Sequence, residues 1–107
     1  MRRGELWAVS GGVYASKPRP ALILQSDRFG GTASVTIIPC TTDPTNAPLF
    51  RLDLAPDGDN GLRSRCKLMV DKITTIPRSN VGRQIGRLSD DDMVRVVRAM
   101  VVFIEIA

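Results

Sequence analysis

Histidine is absent from all 107 residues, which removes Ser-His-Asp and Cys-His catalysis and most zinc sites. Any chemistry must run on arginine, lysine, carboxylates, hydroxyls or backbone. Cysteine is nearly absent too. Cys40 and Cys66 each sit in an apolar segment without metal-ligand spacing, so buried, reduced thiols are expected. That reading points to a cytoplasmic protein. No apolar run approaches the length that crosses a bilayer, and no leader-like segment precedes the first polar residues. Nucleotide-binding signatures are missing: Gly82 and Gly86 make no dinucleotide fingerprint, and no P-loop lysine exists. The run Asp57-Gly58-Asp59-Asn60-Gly61 superficially suggests a calcium loop. Gly61, however, replaces the third acidic ligand, and Leu68 stands where a bidentate glutamate belongs. The run reads as a turn, and neither metal nor cofactor is expected.

What is present suits one domain, 1–107. A hydrophobic share of 43% is enough for a single modest core. Fifteen Lys and Arg against eleven Asp and Glu give a net charge of +4, scattered along the chain and favouring a polyanionic partner. "GELWAV", "ALILQSD" and "ASVTIIPC" read as three strands within the first 40 residues, each bounded by Gly, Pro or Asp. "FRLDL" alternates strictly, placing Phe50, Leu52 and Leu54 on one face, and "CKLMVDKITTI" reads as a longer, bent strand ending at Pro77. "RQIG" adds a short one. The intervening "LAPDGDNGLRS" is turn chemistry.

The last eighteen residues change period. Ser89 before three aspartates is a helix N-cap, and with Asp92 it approximates a capping box. Met93, Val96, Val97, Met100, Val101 and Ile104 then define an apolar stripe. Ala99, Val102, Phe103 and Ile106 fall on other faces, so the helix end needs more cover than one sheet face gives. Either a subunit interface or loops of the same chain must supply it. Many short strands before one helix argue for an α+β fold, a strongly bent antiparallel sheet or small barrel packed on a C-terminal helix.

A cationic, hydroxyl-bearing set remains. In "KPRPALIL" Lys17 and Arg19 precede the second strand, with Arg19 held between Pro18 and Pro20; in "PCTT" Thr41 and Thr42 follow the third. If those strands are antiparallel neighbours, Arg19 and Thr41 share a rim. A guanidinium fork and a threonine hydroxyl together fit phosphate oxygens. Each alone has a plainer reading, a solvated strand start and a turn.

At these residues the sequence resembles the MazF/PemK family of toxin endoribonucleases. "RRGELWAV", "RPALILQSD", "TIIPCTT", "GLRSRCKLMVDKITTIP" and "VGRQIGRLSDDDM" follow the family's order nearly end to end. The resemblance implies an SH3-like small β-barrel with a C-terminal helix, assembled as a homodimer and neutralised by an acidic MazE-like antitoxin, through which alone it would meet DNA. It implies metal-independent cleavage of single-stranded RNA to 2′,3′-cyclic phosphate and 5′-OH ends. Arg19 and Thr41 are then the catalytic residues, with Thr42 competing for the threonine role because the register permits a one-residue slip. Lys17, Thr42, Ser16 and Tyr14 are the candidate substrate-binding residues. One departure stands out. Many members carry Gly-Ser-Glu-Gln before the Arg-Pro, whereas "SGGVYASKP" has no acid between Glu5 and Asp27, so the role of that glutamate has no residue to pass to. A CcdB-like toxin that binds DNA gyrase, and a basic RNA-binding module without activity, are the competing readings.

Overall fold

The computed structural model describes residues 1–11 and 15–106, without the side chains of Ala15 and Ser16. Seven strands precede one α-helix: β1 (Glu5–Gly11), β2 (Ala15–Ile23), β3 (Ser34–Thr41), β4 (Arg51–Leu54), β5 (Cys66–Met69), β6 (Thr74–Pro77), β7 (Val81–Arg87) and α1 (Asp90–Ile104). The strands form one sheet in the order β4-β5-β3-β2-β1-β7, with β6 also paired to β3. Every pairing is antiparallel.

β2 and β3 lie at the centre and are buried on both faces. Leu22, Leu24, Ile38 and Cys40 join one core cluster with Leu6, Leu68, Val96 and Ala99. Their neighbours Ala21, Ile23, Val35 and Ile37 point the other way, into a second cluster with Val9, Trp7, Ile76 and Val81. Burial on two faces explains why these strands read as nearly continuous apolar runs, while "FRLDL" at the edge alternates.

The stretch expected as one bent strand, "CKLMVDKITTI", is broken. A 3-10 turn at Val70–Lys72 separates β5 from β6. Cys40 faces Leu68 while Ile37 faces Thr74, so three residues of β3 are matched by six of the other chain segment. That surplus is how the sheet bends. Val70 is buried, and Arg51 pins the turn by donating to both Asp71 oxygens, Nε to Oδ1 at 2.7 Å and Nη2 to Oδ2 at 3.0 Å. This bidentate pair holds the Asp71 carboxyl below its usual pKa.

In α1 the Ser89 Oγ accepts from the Asp92 N–H at 3.1 Å, and all three aspartates occupy the first turn, as the capping pattern predicts. The buried line differs from the expected stripe. Val96 and Ala99 are fully buried, Met93 and Met100 pack at the margin, but Val97 is 40% and Ile104 51% exposed. Val96 and Ala99, three residues apart, face the core cluster together with Val70 of the 3-10 turn. Val102, Phe103 and Ile106 are also exposed, as is Leu49 at 72%, and the Phe103 ring meets Phe50 with centroids 5.6 Å apart. Among the described residues no helix is long and apolar enough to cross a membrane.

Candidate nucleic-acid site

Arg19 lies inside β2, not ahead of it. The strand begins at Ala15, with Val9 opposite Arg19 and Ala8 opposite Pro20. β3 pairing starts only at Ala21, which faces Pro39. Residues 15–20 therefore have a ladder on one side, and prolines, which cannot donate, are tolerated where the other side is open. Each proline also restricts the residue before it to extended backbone and fixes its own φ. Arg19 is thus carried on a stiff strand end.

Extending the β2–β3 register by two places sets Arg19 across from Thr41, where β3 has already turned to pair with β5. The expected shared rim is present. Two cavities of about 540 Å³ and about 510 Å³ meet there, and both are lined by Arg19, Pro20, Cys40, Thr41 and Thr42. Thr41 is half-buried, while Arg19 and Thr42 are exposed. The Thr41 Oγ accepts from the Asp43 N–H at 3.1 Å, which leaves its own proton to donate outward. Asp43 is held in turn: its Oδ1 accepts from the Thr45 N–H at 2.9 Å and hydroxyl at 2.7 Å. Those bonds keep the Asp43 carboxyl below its usual pKa, so it is ionised at neutral pH.

Lys17 is exposed but lines neither cavity. Tyr14 and the Ser16 side chain lie outside the described residues. Cys40 and Cys66 are buried free thiols, and a hydrogen bond with Cys66, together with burial, pushes the Cys40 thiol up. Cys40 is therefore neutral at physiological pH and supplies no thiolate to the cavities it lines. Among the described residues no group of His, Cys, Asp or Glu is arranged to hold a metal ion.

Most of the lining, beyond Arg19, Thr41 and Thr42, carries no signal in the sequence. The first cavity has an apolar floor of Val9, Ile37, Pro39, Met69 and Ile76. The second adds Ser64 and two cations, Arg63 and Arg83, from a turn and a distant strand whose convergence no local pattern signals.

A family model described as "PemK-like, MazF-like toxin of type II toxin-antitoxin system" matches residues 2–104. The chain belongs to this family. It is 51% identical over 108 residues to "Probable endoribonuclease MazF" of Mycolicibacterium smegmatis, covering 100% of this chain and 99% of that protein. It is 30% identical to "Endoribonuclease MazF9" of Mycobacterium tuberculosis, covering 94% of this chain and 92% of the other. Among solved structures, the "Mycobacterium tuberculosis toxin MazF-mt6" superposes with a TM-score of 0.81 at 24% identity, covering 96% and 98% of the two chains. An "Endoribonuclease in complex with its cognate antitoxin from Mycobacterial species" gives the same TM-score of 0.81 at 21% identity, with 100% and 97% covered. At those identities the structures speak for the fold, a seven-stranded antiparallel sheet with one C-terminal helix.

Proposed function

We propose that this toxin is a metal-independent endoribonuclease that cleaves single-stranded RNA at the junction of the two cavities. Family membership and the half-identical relative named as an endoribonuclease carry the enzyme class. The single observation that supports the site is Arg19 and Thr41 facing each other across the rim common to both cavities. A ribose 2′-OH loses its proton and attacks the adjacent phosphate, its bond to phosphorus forms as the bond to the 5′-oxygen breaks, and that oxygen takes up a proton, so that none is gained or lost overall and the products are a 2′,3′-cyclic phosphate and a 5′-OH. Negative charge gathers on the phosphoryl oxygens in between. Donors fixed beforehand on a proline-stiffened strand and a tied turn lower that state without reorganisation. Arg19 clamps the phosphate with its fork and donates toward the leaving oxygen, and the Thr41 hydroxyl adds one more hydrogen bond. A gyrase-binding toxin has no use for such a pair. Purified protein is expected to cut single-stranded RNA at full rate in excess EDTA and to spare duplex RNA, whose bases cannot splay into the groove. Loss of cleavage with EDTA and its return with magnesium would sink the metal-free mechanism.

The same reading takes 1–107 as one cytoplasmic domain, an SH3-like barrel that works as a homodimer. Val102, Phe103 and Ile106 on the helix end, with Leu49 nearby in the chain before β4, are exposed apolar groups, and two-fold pairing is the commonest way to cover such a patch. An acidic antitoxin segment fits the cationic groove by offering carboxylates where RNA offers phosphates. Sedimentation should give twice the chain mass, and Phe103→Asp should halve it. A wild-type monomer at micromolar concentration would refute the dimer.

A further inference from the structure

The two cavities that meet at Arg19 differ in charge. The first carries Asp43 at its edge above an apolar floor, which repels phosphate and suits an unstacked base. The second is lined by three guanidiniums, Arg19, Arg63 and Arg83, together with Ser64, and none of its described lining residues carries a carboxylate. Arg63 and Arg83 are exposed, and among the described residues neither is ion-paired. Unpaired arginines placed around one hollow repel each other, an arrangement favoured only once an anion sits between them.

Their placement is built. Arg63 follows a turn in which the Asp57 Oδ1 accepts from the Asp59 and Asn60 N–H groups, both at 2.8 Å. Asn60 is fully buried, donating to the Ala55 carbonyl at 2.8 Å and accepting from the Leu62 N–H at 3.0 Å. The turn is pressed onto β7, with the Arg87 N–H donating to the Asp59 carbonyl at 3.0 Å. A Cβ at Gly61 or Gly86 would overlap backbone of Ile85 or Asn60, respectively. The close approach of turn and strand brings Arg63 and Arg83 to the same cavity.

From this we infer that Arg63 and Arg83 bind the RNA backbone next to the cleaved phosphate, so that the strand leaves Arg19 along the second cavity and away from Asp43. The inference rests on the endoribonuclease reading and adds the direction of the strand and two residues that hold it. These arginines position substrate and take no part in the bond changes.

The test is binding of a short, randomised 2′-O-methyl RNA oligonucleotide, which has no 2′-OH to attack, across a salt series. Since cleavage is not read, the result stands even if the protein cuts no RNA. Arg63→Gln and Arg83→Gln should each weaken binding about fivefold at low salt and reduce the slope of log affinity against log salt by about 0.7. Arg83→Lys should restore the slope, because a phosphate contact of this kind needs charge more than a fork. Arg28→Gln, the same charge change at an exposed site outside both cavities, should leave the slope as it is. Wild-type slopes in both Arg63→Gln and Arg83→Gln overturn the inference. So does a loss confined to binding of an acidic antitoxin peptide, which would make this a protein-docking surface.

Discussion

Replacing Arg19 by lysine is expected to lower kcat for RNA cleavage by about 10²–10³, the usual effect of removing one well-placed donor to a developing oxyanion, with no change in the melting curve. The charge survives but the two parallel hydrogen bonds do not, and a flexible ammonium cannot span two phosphoryl oxygens from a strand end held by Pro18 and Pro20. The residue is exposed, so the fold loses nothing. Near wild-type turnover would show that Arg19 is not the clamp. Thr41→Val should be comparably damaging, because it deletes the only hydroxyl placed directly opposite Arg19 by the extended β2–β3 register. Thr42→Val is expected to be milder. Its side chain lines both cavities, but it lies one residue beyond the end of β3, outside the register that sets Thr41 across from Arg19, and it is exposed. If Thr42→Val proves the dead enzyme and Thr41→Val the active one, the threonine assignment is wrong by one residue.

Gly61→Ala should be strongly destabilising. Gly61 has φ +67°, a conformation that disfavours any Cβ, and the added carbon would meet the Ile85 carbonyl oxygen. Strain and overlap together should cost at least about 3 kcal/mol, or a fall in Tm of about 12 °C or more for a domain of this size. Gly31→Ala provides the control, since nothing lies within 4 Å of a Cβ there, and it should change stability by less than about 0.5 kcal/mol. Thermal melts of the two variants compare them directly. A Gly61→Ala protein as stable as the Gly31→Ala protein would mean that the turn does not press on β7 as described, and the placement of Arg63 would go with it.

The contrast between Gly61 and Arg19 marks how far local pattern reaches. Alternation, turn residues and the Ser89 cap carry their information within a few residues, because side-chain direction repeats every two or 3.6 positions. From such signals the sequence alone determined most of the strands, the single helix and its first residue, and it set Arg19 and Thr41 at one rim on the condition that the second and third strands are antiparallel neighbours. Motif order added the family. The break at Val70–Lys72 was not visible, because "CKLMVDKITTI" keeps strand-like composition through a turn whose Asp71 is held by Arg51 on the neighbouring strand β4. Nor was the strand character of "SKPRP" visible. Two prolines argue against a strand interior, and only the one-sided pairing of β2 makes room for them. Along α1 the period predicted the apolar face, while packing against the core decided that Val96 and Ala99 are its buried part and Val97 and Ile104 are exposed. The second cavity lay furthest out of reach. Arg63 and Arg83 come together because a turn and β7 pack too tightly for a Cβ between them, and such long-range proximity is written in no periodicity. It exists only once the chain has closed on itself.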